Sequence, residues 1–132
     1  MPSSSLDAPR GGALKVAAAQ IDSSYGDLDA NLGKHLSMIG EARKHGVSML
    51  LFPELSLCGH SAGKDALQLS MHVDHPAIAA LAEASVGLHT SFGFIEEAPG
   101  GQFYNSQATV THGRIVHVHR KIQLATYGKL RD

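Results

Sequence analysis

An apolar run that stops on a proline and a carboxylate, Met49-Leu50-Leu51-Phe52-Pro53-Glu54, constrains this chain more than any other stretch. The unbroken apolar residues Met49 to Phe52 read as a strand buried on both faces, the pattern of a parallel or mixed sheet covered by helices. Pro53 has no N–H to give to a ladder, so the strand ends there. Glu54 then stands just past a strand's carboxyl end, the edge at which open α/β sheets bind ligands.

The residues on either side alternate between strand and helix signals. Lys15 to Ile21 (KVAAAQI) is a short, small-residue apolar run suited to a central strand, and Asp22 to Gly26 has turn composition. From Leu28 the spacing becomes helical. Leu28, Leu32, Leu36, Ile39 and Arg43 recur at helical intervals, with Asp27 as N-cap and Gly46 closing the helix, and the apolar stripe is expected to cover a sheet. With Val47 to Phe52 this makes a right-handed parallel strand-helix-strand unit. A short helical piece is expected around Asp65 to Ser70. A second helix opens on Pro76, carries Ile78 and Leu81, and closes at Ser85 to Gly87. Leu88 to Ile95 alternates as a strand, and Glu96 to Gln102, with Pro99-Gly100-Gly101, reads as a loop. Phe103 to Thr111 and Arg114 to Lys121 read as strands joined by a two-residue turn at His112-Gly113. The sum is a layered α/β domain of mixed pairing, with about five strands and two to three helices.

Composition excludes several functions. A net charge of -1 with 17% charged residues gives no basic field for a phosphate backbone, so nucleic acid is not an expected partner. No apolar run approaches the roughly 20 residues of a membrane helix, and residues 1–13 (MPSSSLDAPRGGA) lack a signal peptide's apolar core. That stretch reads as a flexible extension ahead of a domain over residues 14–132. One cysteine, Cys58, excludes an intrachain disulfide and fits a reducing, cytoplasmic setting.

Three features bear on chemistry: Glu54 after one strand, His119-Arg120-Lys121 ending another, and Cys58 close to the glutamate. Taken singly, the acid and the base pair read equally as solvated loop and edge residues. Taken together, parallel neighbouring strands would carry Glu54 and Lys121 to one sheet edge, where a lysine donates to an anion and a carboxylate shuttles protons. Cys58, between Leu57 and Gly59, reads as a small packed group rather than as a nucleophile, and the chain has no Gly-x-Ser-x-Gly elbow. Among nine histidines, His72-x-x-His75 and His117-x-His119 lack a third ligand at recognised zinc spacing, and no metal site is assigned to them.

With these residues placed, the chain resembles the N-terminal half of a nitrilase-superfamily carbon-nitrogen hydrolase. The resemblance runs from KVAAAQI through Gly26-Asp27-Leu28, FPELSLCG and Phe103-Tyr104-Asn105-Ser106 to HRKIQLATYG, and its Phe-Pro-Glu-Leu and Arg-Lys-x-x-Leu segments are jointly specific. It implies an incomplete α-β-β-α sandwich and a Glu-Lys-Cys triad in which Glu54 matches the general base and Lys121 the lysine that stabilises the tetrahedral intermediate. The matching cysteine of the family lies further along than residue 132, and Cys58 falls at a position that is not the nucleophile. The family often has a second glutamate shortly after a Tyr-Gly segment; Tyr127-Gly128 is present, and no such glutamate is assigned within residues 129–132. His60, Gln123 and Ala125 depart from the family's usual tyrosine, basic residue and proline.

The resemblance further implies hydrolysis of a small-molecule amide or nitrile, amide favoured, without metal or organic cofactor, by a protein that forms homo-oligomers. The isolated chain is expected to be inactive for want of its nucleophile. The competing expectation is a non-catalytic truncated module that pairs with a full-length partner through an uncovered sheet face.

Overall fold

The structure is a computed structural model that describes residues 13–60 and 63–124; the expected extension up to residue 12, Ala125 and Tyr127-Gly128 lie outside the described residues. The chain order is β1 (Val16–Ala18), α1 (Leu28–Lys44), β2 (Met49–Leu51), a 3-10 turn (Gly63–Asp65) running into α2 (Ala66–Leu69), α3 (Pro76–Ala84), β3 (His89–Ala98), β4 (Gln102–Thr111) and β5 (Arg114–Arg120). One sheet holds all five strands in sequence order. β1, β2 and β3 are mutually parallel, while β4 and β5 are each antiparallel to the strand before, so β5 runs in the same direction as β2.

The local signals account for the element ends. Asp27 caps α1 by accepting from the Ala30 N–H at 3.0 Å, and His45 and Gly46 close it, Gly46 at φ +68°. Pro76 opens α3, and the His75 ring accepts from the Ala77 N–H. At the β4–β5 turn, His112 (φ +48°) and Gly113 (φ +80°) both adopt positive φ, as a two-residue hairpin of matching twist requires.

One face of the sheet carries the core. Leu50, Phe92, Phe94, Ala108 and Val110 pack beneath Ile39 and Ala42 of α1 and Ile78, Leu81 and Ala82 of α3. The alternate residues of the strands lie on the other face, where Val16, Leu51 and Phe103 are 51%, 39% and 39% exposed. This face is not uniformly apolar, because Ser91, Asn105, Gln107 and His119 share it.

Five expectations from sequence need correction. The Met49–Phe52 run is not a strand buried on both faces: the strand is Met49–Leu51, with Leu50 buried on one face and Leu51 39% exposed on the other. The Lys15–Ile21 run is not a central strand: only Val16–Ala18 is extended, and β1 is an edge of the described sheet, paired with β2 alone. The buried stripe of α1 is Asn31, His35, Ile39 and Ala42, with Leu36 36% exposed, because polar partners meet Asn31 and His35 inside. Glu96 and Glu97 are strand rather than loop. β3 pairs with β4 as far as Ala98↔Gln102, which confines the turn to Pro99–Gly101, and the buried Glu96 is neutralised by Arg120. Finally, β2 and β5 are not neighbours, since β3 and β4 lie between them.

Candidate active site

The separation of β2 from β5 makes the position of Glu54 a problem of loop geometry. The segment after β2 stays on β3 at Phe52, whose N–H donates to the Ser91 carbonyl (2.8 Å), and returns at Leu57, whose N–H donates to the Gly93 carbonyl (3.0 Å). Pro53 to Ser56 arch between these anchors, over Gly93. A Cβ on Gly93 would lie 2.2 Å from the Leu55 nitrogen, 2.8 Å from the Glu54 carbonyl carbon and 2.9 Å from the Pro53 oxygen. Only a glycine lets the arch lie this close, and the arch delivers Glu54 beyond β3. From β3 to β5 is about 10 Å at the usual strand spacing, a gap that a glutamate and a lysine side chain span together.

They meet there. Lys121 Nζ donates to Glu54 Oε1 at 2.6 Å, and Asn105 Nδ2 donates to the same oxygen at 2.8 Å. Lys121 follows β5 directly, its N–H bonded to the Asn105 carbonyl (2.8 Å), so β4 and β5 fix the lysine and the asparagine relative to one another. Among the described residues, no donor falls on Glu54 Oε2. Glu54 and Lys121 are partly open to solvent, at 39% and 29% side-chain exposure. With Asn105, they border a hollow of about 180 Å³ whose walls include Gln107 and His119.

The sheet positions Lys121 from its other face as well. Arg120 points opposite to Lys121 and grips Glu96 with two bonds, Nε to Oε2 at 2.9 Å and Nη2 to Oε1 at 2.7 Å. Ser106 donates to the same carboxylate at 2.7 Å, and the guanidinium lies 4.2 Å from the centre of the Tyr104 ring. The Arg120 bonds hold the Glu96 carboxyl below the usual carboxylate range, with a smaller contribution from Ser106.

Cys58 is apart from this chemistry. It is 3% exposed and packs with Leu55 and Ile95, and its Sγ lies 3.7 Å and 3.5 Å from the Leu55 and Gly59 carbonyls. Burial pushes its thiol up to about 11, the opposite of what activates a nucleophile. His72 sits 3.6 Å from Glu97, and among the described residues no three metal-ligating side chains converge.

Sequence reasoning reached Glu54 and Lys121, and the structure brings them together. It did not reach Asn105, Gly93, Glu96, Asn31 or His35. Asn105 stands in the sequence only as part of a strand start, and the others have no signal until the register and the arch are known.

The chain is similar in sequence and fold to known proteins. A glutamine-dependent NAD+ synthetase of Thermotoga maritima is 33% identical over 118 residues, which are 87% of this chain and 20% of that protein. An arylacetonitrilase of Fusarium vanettenii is 29% identical over 125 residues, 83% of this chain and 37% of the relative. In three dimensions, a glutamine-dependent NAD+ synthetase from Acinetobacter baumannii in complex with ADP superposes with a TM-score of 0.78 at 31% identity, over 89% of this chain and 22% of that one. The chain thus spans about a fifth of the synthetases. A family model described as carbon-nitrogen hydrolase matches residues 15–131. The chain belongs to the carbon-nitrogen hydrolase family.

Proposed function

We propose that this chain supplies the base and the oxyanion-holding cation of an amidase-type carbon-nitrogen hydrolase site, with Glu54 as general base and Lys121 as donor. The observation that carries the reading is the 2.6 Å Lys121–Glu54 pair with Asn105 on the same oxygen. Both donors engage Oε1, which leaves Oε2 to take a proton.

The reaction assigned to the site starts when a cysteine thiol gives its proton to Glu54 and its sulfur attacks the carboxamide carbon. The carbonyl electrons move to oxygen, where the Lys121 ammonium offsets the developing charge. Collapse of the tetrahedral species breaks the C–N bond, Glu54 returns the proton to the leaving nitrogen, and a thioester remains. Water deprotonated by Glu54 then attacks the thioester carbon, the C–S bond breaks to release the acid, and Glu54 returns the proton to the departing thiolate. Cys58 is excluded as that thiol by its burial, so the nucleophile is assigned to polypeptide other than residues 1–132. The isolated chain is accordingly expected to be silent.

The substrate class favoured is a glutamine-type side-chain amide, on the similarity to the NAD+ synthetases; the arylacetonitrilase makes a nitrile the alternative. Homo-oligomerisation and a cytoplasmic setting complete the proposal, the second in accord with one unpaired, buried thiol. No helix among the described residues is long and apolar enough to cross a membrane. Association with a longer partner without turnover has its own observation, the half-exposed Val16, Leu51 and Phe103 on the face away from the helices.

The test exchanges residues 14–132 for the matching segment of the Thermotoga maritima synthetase and measures ammonia release from glutamine and from an arylacetonitrile. Release from glutamine alone is expected. Release from the nitrile alone would overturn the substrate class, and a folded chimera silent on both would favour the non-catalytic module.

A further inference from the structure

Two polar side chains occupy the centre of the α1 interface, where an apolar pair would serve packing as well. Asn31 and His35 are both fully buried. Asn31 is consumed by backbone, accepting from the Ser24 N–H (2.7 Å) and donating to the Ser24 and Leu57 carbonyls (2.7 and 3.0 Å). His35 reaches the arch. Its Nδ1 is 2.6 Å from the Asn31 carbonyl, which only accepts, so Nδ1 carries the proton. Nε2, 2.8 Å from Ser56 Oγ, then accepts from the hydroxyl in the neutral ring. The same hydroxyl oxygen accepts from the Gly93 N–H at 3.1 Å. The ring also stacks on Phe52, with centroids 4.1 Å apart and planes at 27°.

One imidazole therefore holds both feet of the arch, Phe52 by stacking and Ser56 by hydrogen bond, and ties Ser56 to the glycine over which Glu54 passes. The arch needs such anchors, since Leu55 at its crest has φ +52°, a conformation that side-chain-bearing residues rarely adopt. Burial holds His35 below the usual histidine range, partly offset by the Asn31 carbonyl, consistent with a neutral ring as the working state.

We infer that His35 and Ser56 are positioning residues for Glu54, fixing from the core side of α1 where its carboxylate meets Lys121. The functional meaning of this rests on the hydrolase reading of Glu54 and Lys121; the geometry does not. The measurement is the Glu54 side-chain carboxyl ¹³C resonance in the full 132-residue chain at pH 7, in wild type, Ser56→Ala and His35→Phe. Lys121→Ala supplies the shift of a broken pair. Both variants are expected to move the resonance at least halfway from the wild-type to the Lys121→Ala position. The Glu96 carboxyl resonance, held by Arg120 on the opposite face, is expected to stay in place and so reports an intact sheet. A Glu54 resonance at its wild-type position in folded Ser56→Ala overturns the inference. Ser56→Ala decides alone if His35→Phe does not fold, because it removes one oxygen and little volume. Failure of the hydrolase reading would appear in ammonia release and leave this shift unaffected.

Discussion

Gly93→Ala is the smallest change that opposes the arch. The position sits in a strand with φ outside the left-handed region, so an alanine backbone is allowed there and by itself would gain roughly 0.5–1 kcal/mol over glycine. The added carbon meets backbone rather than a flexible side chain, at 2.2 Å from the Leu55 nitrogen; ordinary contact begins at 3.4 Å, so the arch must lift by 3.4 minus 2.2, about 1.2 Å. Its two anchors, Phe52 to Ser91 and Leu57 to Gly93, resist the lift. Overpacking of about 1–3 kcal/mol and a weakened hydrogen bond of about 1 kcal/mol outweigh the backbone gain, for a net loss of about 2 kcal/mol. In urea unfolding this lowers the midpoint by about 1 M for a slope near 2 kcal/mol/M. Gly33→Ala is the control. It lies inside α1 with nothing within 4 Å of its added carbon, and is expected to gain up to about 1 kcal/mol. A Gly93→Ala chain as stable as wild type, beside a stabilised Gly33→Ala, would refute the close-approach account.

Two further outcomes follow from buried groups. The folded-state pKa of His35 lies below its unfolded value of 6.5, so its neutral form favours the fold above pH 6.5, and stability is lost as pH falls through 6.5 toward the folded value. The slope is at most about 1.4 kcal/mol per pH unit, and His35→Phe should remove it from urea midpoints compared between pH 7.5 and 5.5. The lowered pKa of Glu96 acts in a separate window, below its unfolded value of 4.5. Cys58, with its pKa near 11, holds a thiolate fraction of about 10⁻³ at pH 8. A chromogenic disulfide reagent should label it at once in denaturant and far more slowly in the native chain; rapid native labelling would contradict its burial.

What could be read from the residues follows the range of the forces involved. The bounds of α1 and α3 rest on caps and prolines next to them in sequence, and the His112-Gly113 turn on two adjacent residues with positive φ. Glu54 and Lys121 were legible because a strand end and its next residue are local signals. Their route to each other was not. It depends on the missing Cβ of Gly93, far from both in sequence, and on an arch rather than on adjacent strands. From sequence Glu96 reads as loop, because a charge beside Pro99-Gly100-Gly101 looks solvated until Arg120 comes into register opposite Ser106. His35 lies on the helix face next to the leucine spacing, and nothing local marks one histidine among nine as buried.

The pairing of base and cation is tested most directly in the synthetase chimera, by single-turnover release of ammonia from glutamine with Glu54→Gln and Lys121→Ala compared with the unsubstituted chimera. Loss of a general base is worth about 10²–10⁴-fold and loss of an oxyanion donor about 10²–10³-fold. Both variants should therefore fold normally and lose at least about 10²-fold in the acylation rate, whereas a near-normal rate in either would remove that residue from the reaction.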